Sequence, residues 1–229
     1  RNNVHYVYTG GACDANKRWV VYPAAGLGIL AEITCKGYDQ TALSNVKQRY
    51  FRGHTDDISS ISTRDLATDE QGSKQSIVAT GQMGKGNTFV WEVPSMKTLA
   101  ILKTGQKTVT SLEFSKSDGG RLLISISKDG YVCVCDWKSQ SIIARVQDNS
   151  ASSTYHCCAS SITNSLSFVT CGDKTMKIWN LNGRNLSSNK IVVGNVGRGI
   201  SGLKYLCCAE LNGIFFLGCE NGMVYTTSS

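Results

Sequence analysis

One segment form returns along the chain and limits what it can fold into. Each copy is a short apolar strand, a turn carrying glycine with an acid, amide or lysine, and a second strand of alternating character. The copies occupy 77–92, 122–137, 167–180 and 214–225, and Trp91, Cys135 and Trp179 align at intervals of 44 residues. Asp129, Asp173 and Asn221 mark the turns, at intervals of 44 and 48 residues. Asp-Gly at 129–130 and Asn-Gly at 221–222 offer the positive φ of a two-residue hairpin turn, and β-branched and aromatic neighbours suit a pleated, half-buried surface. Strand candidates precede the hairpins at 57–61, 108–114, 155–159 and 199–205, and others follow at 98–102 and 141–146. Four strands per unit at a period of about 40–50 residues make a propeller blade. The expectation is an all-β fold. Residues 1–50 supply one unit and 51–229 about four more, so the 229-residue chain reads as a single β-propeller portion of about five blades. Such an arc is an incomplete ring with an open edge, to be covered by further chain or by a partner.

Composition removes several classes. Only 18% of residues are charged and there are two prolines, which excludes a disordered chain. No apolar run approaches the roughly 18 residues of a membrane span, so no membrane partner is expected. The opening Arg1-Asn2-Asn3-Val4 lacks the apolar core of a secretory signal, and a start without Met is compatible with a piece of something longer. Ten cysteines read as reduced core thiols, because a chain of this length builds its core without disulfides. Zinc spacing of the C-x₂₋₄-C or H-x₃₋₅-H kind is absent, so no metal is expected. The net charge of +7 favours an acidic partner, although the lysines and arginines are dispersed along the sequence.

Arg52-Gly53-His54-Thr55-Asp56 resembles the Gly-His that opens a WD repeat, and Trp91-Glu92 and Trp179-Asn180 resemble its closing Trp-Asp. In that family a His, a Ser or Thr, a turn Asp and the Trp are hydrogen-bonded and fix strand registry. The resemblance implies structural roles for His54, Trp91, Asp129, Asp173, Trp179 and Asn221. The set is degenerate: Lys85 occupies the first turn in place of Asp, Cys135 stands for one Trp, and no blade is expected to hold a complete tetrad.

A closer similarity covers most of the length. Arg1-Asn2-Asn3-Val4-His5-Tyr6, the stretches 19–22, 25–28, 50–58, 77–82 and 114–120, Asp136-Trp137 and 170–172 are similar, in this order, to segments of the echinoderm microtubule-associated protein-like family. The opening residues resemble the end of that family's hydrophobic motif. Departures are the insertion 11–17, the short turn 84–86 and Cys135. The resemblance implies a non-catalytic cytoskeletal protein that binds tubulin or microtubules through a rigid propeller surface. It places the protein in the cytoplasm on microtubules, with cilium and axoneme as a further location, and no nucleic-acid partner is expected.

Two rivals are weaker. Enzymatic propellers need inward acids, whereas Asp56, Asp57, Asp69, Glu70, Asp118, Asp129 and Asp173 sit at turns, where their chemistry is structural. The glycine-rich 81–86 fails the phosphate-loop pattern. No catalytic residue or cofactor is expected. The alternative within the same fold is a general WD-repeat scaffold for another protein complex or RNA.

Overall fold

The computed structural model describes residues 5–7, 17–34, 47–66, 75–93, 95–148, 154–164, 166–191 and 203–228. Among them every regular element is a strand, and the strands form five antiparallel sheets. The first holds β1 (His5–Val7), β2 (Lys17–Ala24), β3 (Leu27–Thr34) and β4 (Gln48–Phe51). The second holds β5 (Ile58–Asp65), β6 (Ser76–Gln82), β7 (Thr88–Val93) and β8 (Thr98–Leu102). The third holds β9 (Val109–Phe114), β10 (Leu122–Ser127), β11 (Tyr131–Asp136) and β12 (Ser141–Gln147). The fourth holds β13 (Tyr155–Ser160), β14 (Ser167–Gly172), β15 (Thr175–Asn182) and β16 (Asn185–Lys190), and the fifth holds β17 (Tyr205–Leu211), β18 (Ile214–Cys219) and β19 (Val224–Ser228). Within each sheet, spatial order follows chain order.

The sheets stack through their first strands. β5 packs on β9, β9 on β13 and β13 on β17, while β1 and β2 reach β5. The second strands of the three inner sheets are therefore covered on both faces, and β6, β10 and β14 are buried at every position. That explains why 77–82 and 122–127 read as continuous apolar or small-residue runs rather than alternating ones. The fourth strands β8, β12 and β16 carry most of the exposed positions.

Four hydrophobic clusters fill the four gaps between consecutive sheets. Val21, Leu30, Phe51, Val78 and Trp91 fill the first, and Ile77, Ala79, Val90, Leu112, Leu123 and Cys135 the second. Leu122, Ile124, Val134, Phe168 and Trp179 fill the third, and Val169, Cys171, Met176, Phe215 and Leu217 the fourth. Leu123 and its neighbours Leu122 and Ile124 enter different clusters because successive side chains of β10 point to opposite faces. The eight described cysteines are unbridged: Cys133, Cys135, Cys158, Cys171 and Cys219 are buried as expected of core thiols, Cys157 and Cys208 are half-buried, and Cys207, expected in the core, is exposed.

Among the described residues the fifth sheet packs on the fourth, and no packing of comparable extent joins it to the first. The arc is open, and Leu206, Leu211, Ile214, Met223 and Val224 of the fifth sheet are exposed.

Two sequence expectations are corrected. The pairing ends at Ile126 with Val132 and at Gly218 with Val224, so the Asp129-Gly130 and Asn221-Gly222 turns are longer than two residues, and only their glycines take positive φ. The two-residue turn with both central residues at positive φ is instead Asn212-Gly213, between Leu211 and Ile214. That turn also moves the first strand of the fifth blade: it runs through Tyr205–Leu211 rather than ending at residue 205, and 199–202 lie outside the described residues. Asp69, Glu70 and most of the insertion at 11–17 lie outside them as well.

Candidate binding face

The turns between second and third strands latch onto the loops that lead into a following blade, and these latches run along one end of the arc. Ile58 N donates to Ala25 O at 2.8 Å, Thr108 N to Gly84 O at 2.7 Å, and Lys174 N to Leu203 O at 3.0 Å. In the third blade Asp148 N donates to Gly130 O at 2.9 Å. Isolated bridges join Lys85 to Lys107 and Asp173 to Lys204. Gly84 N also donates to Thr108 Oγ1 at 3.1 Å.

This rim gathers cations that are scattered in sequence. Arg52, Lys85, Lys103, Lys107, Lys128, Lys174 and Lys204 are all exposed on it. Its acids serve the loops. Asp56 accepts from Asp57 N at 2.8 Å, Asp129 from Lys107 N at 3.3 Å, and Glu220 from Lys204 N at 3.2 Å. Asp148 takes Lys177 Nζ at 2.5 Å, and Asp173 lies 2.9 Å from His156 Nε2. The rim thus carries seven exposed cations beside the exposed acids Asp56, Asp57 and Glu220, an excess of positive charge.

Between the loops leading into the second and third blades the rim opens into a cleft of about 470 Å³. Gly53, Gln82, Lys85, Phe89, Lys103 and Gly105 line it, giving a flat backbone floor, one aromatic wall and two cations. Gly53 is required there, because a Cβ would lie 2.6 Å from the Phe51 ring. Phe51 stacks on Trp91 with ring centroids 4.8 Å apart, and Phe89 meets His54 edge-on at 4.8 Å. The wall is rigid.

The residues singled out from sequence are spread over four blades and do not form one site, although His54 and Trp91 meet within the second. His54 Nε2 lies 2.7 Å from Thr80 Oγ1, and Trp91 Nε1 donates to the same oxygen at 3.2 Å. His54 Nδ1 faces Gln82 Oε1 at 3.0 Å, so an amide fills the role left open by the absence of a turn acid. Burial pushes the His54 imidazole pKa below its ordinary value, against the opposing bond from Gln82. Trp179 Nε1 donates to Thr170 Oγ1 at 2.7 Å. Asp129 and Asp173 hold the loop partners already given. Asn221 Oδ1 accepts from Met223 N at 3.1 Å, closing its own turn.

Sequence reasoning missed Thr80, Gln82 and Thr170, and it missed how the third blade manages without His or Trp. There Ser125 Oγ donates to Gln106 Oε1 at 2.5 Å, and Gln106 Nε2 donates to Ser125 O at 3.1 Å and Tyr131 O at 3.0 Å. Gly105-Gln106 takes the place of Gly53-His54. The signal was available: a hydroxyl residue precedes each Trp by 11 or 9 positions.

The family described as WD domain, G-beta repeat matches residues 146–180. Echinoderm microtubule-associated protein-like 2 of Rattus norvegicus is 30% identical over 201 residues, which cover 81% of this chain and 28% of that protein. This chain is related to the echinoderm microtubule-associated protein-like proteins. Echinoderm microtubule-associated protein-like 1 of Homo sapiens is 28% identical over 151 residues, covering 62% of this chain and 18% of the relative. Echinoderm microtubule-associated protein-like 4 of Mus musculus is 25% identical over 232 residues, covering 98% and 21%. The chain thus spans about 28% of the length of the echinoderm microtubule-associated protein-like 2 relatives it matches.

Proposed function

We propose that this chain is the non-catalytic, surface-presenting part of a microtubule-associated WD-repeat protein, and that residues 1–229 make one propeller portion whose basic rim meets tubulin. Relationship to proteins named as microtubule-associated supports the class of partner. The observation that carries the mode of contact is the rim itself, where Arg52, Lys85, Lys103, Lys107, Lys128, Lys174 and Lys204 stand exposed while the neighbouring acids bind loop backbone and side chains. A rigid basic edge suits an acidic protein surface, and the cleft beside Phe89, with Lys85 and Lys103, suits an acidic segment carrying an apolar side chain. His54, Trp91, Asp129, Asp173, Trp179 and Asn221 serve registry and turns in this reading and touch no partner. The location that follows is cytoskeletal, in the cytoplasm.

The test is co-sedimentation of the chain with polymerised tubulin at low and raised salt. Pelleting that falls with salt, and falls several-fold in the Lys85→Glu, Lys103→Glu double variant at low salt, is the expected result. Absence of pelleting at low salt overturns the reading and favours a scaffold for another protein or RNA. Pelleting that is indifferent to salt and to the double variant removes the rim from it.

A further inference from the structure

Sequence spacing offered no metal site, because that test sees only ligands that share a turn or hairpin. The fold brings together three thiols from three strands of two blades. Cys157 lies on β13, Cys171 on β14 and Cys208 on β17, and their sulfurs all lie within 4.8 Å of one another. Cys157 and Cys171 are cross-strand partners in the β13–β14 register, with their Sγ atoms 2.9 Å apart. Cys208 comes from the neighbouring sheet, across the interface filled by Val169, Met176 and Leu217.

We propose that Cys157, Cys171 and Cys208 form a binding site for a thiophilic d¹⁰ cation, Zn²⁺ or Cu⁺, that staples the fourth blade to the fifth. Thiolate sulfur is the donor these ions prefer over the oxygen-bound alkaline-earth ions. Metal–sulfur bonds of about 2.3 Å place ligating sulfurs under about 4 Å apart, so the cluster needs only small side-chain adjustment. Each sulfur that ligates gives up its S–H proton to solvent as its metal–sulfur bond forms. No fourth His, Cys, Asp or Glu joins the group among the described residues. Cu⁺ is satisfied by three sulfurs, whereas Zn²⁺ completes its tetrahedron with water.

One observation separates this cluster from ordinary core packing of thiols. The other buried thiols, Cys133, Cys135, Cys158 and Cys219, belong to no such group among the described residues. A staple there also has a structural use, because the fifth sheet has three strands among the described residues and keeps many apolar side chains exposed.

The experiment titrates the reduced 229-residue chain anaerobically, with Zn²⁺ against a chromophoric chelator in one arm and Cu⁺ against a Cu⁺-selective chelator in the other. One equivalent bound, three thiols withdrawn from a thiol-reagent count, proton release and a raised Tm are expected. The arm with the tighter binding names the ion. Co²⁺ added to the unaltered chain supplies a readout that needs no variant, since thiolate-to-cobalt charge-transfer bands report sulfur ligation. Cys208→Ser is expected to abolish those bands, while Cys207→Ser, at an exposed neighbour, leaves them. No charge-transfer bands in the intact chain, or bands that survive Cys208→Ser, overturn the site.

Discussion

Thr80 Oγ1 is the point where two buried rings of the second blade meet, taking the Trp91 indole N–H and facing His54 Nε2. A buried donor that loses its acceptor costs about 1–3 kcal/mol. Thr80→Val, which keeps the shape and removes the oxygen, is therefore expected to lower unfolding free energy by about 2 kcal/mol in urea melts. Thr80→Ser restores most of it, and equal stability of Val and Ser variants would refute the role. Glu113 is a second residue with a measurable signature. Burial pushes its carboxyl up to about 7, against Lys116, Ser160 and Arg64, which pull it down. A carboxylic acid whose folded pKa exceeds its unfolded value binds a proton more tightly in the native state. Stability is then greatest below the unfolded value of 4.5 and declines as pH rises toward about 7. The side chain keeps 24% of its surface exposed, so solvent screens part of this effect. Glu113→Gln is expected to flatten the decline between pH 4.5 and 7.5 by roughly 2 kcal/mol. An unchanged pH profile would count against a raised Glu113 pKa.

At the scale of elements, the second strand of each blade is the most demanding. β14 ends at Gly172, where a Cβ would lie 1.9 Å from Thr154 O, an atom of the backbone that cannot swing aside. Gly172→Ala is expected to cost about 3 kcal/mol, seen as a lowered midpoint in chemical denaturation, while Gly183→Ala, in open space but at positive φ, costs about 1 kcal/mol through backbone strain alone. Equal effects would mean that β14 and the loop before β13 separate easily. The blades were legible because their hairpins combine turn glycines with apolar runs at a fixed interval, and the buried strands follow from those runs. The turn geometry was less legible. Asn212-Gly213 is the two-residue turn with positive φ at both positions, but it follows Tyr205–Leu211, whose cysteines and glutamate hide a strand that a short apolar pattern would have announced. The basic rim was invisible because Lys85, Lys107, Lys174 and Lys204 become neighbours only through loop-to-loop bridges. The same blindness applies to Cys157, Cys171 and Cys208, whose convergence depends on two blades packing.

For the whole molecule, the open arc carries its own prediction. Exposed Leu206, Leu211, Ile214, Met223 and Val224 on and beside the fifth sheet make self-association the expected behaviour of this chain at high concentration. Leu211→Lys with Val224→Lys should shift sedimentation-velocity profiles toward monomer, and a monomer in both proteins would show that this face is inert. The stacking of first strands, each on the next, has a further consequence. Cohesion is serial, like links in a chain, so damage to one link spares those beyond its neighbours. A lesion in the third gap, at Phe168 for instance, should leave amide-exchange protection around Trp91 almost untouched, and the end that meets a partner can stay stiff while the opposite end frays.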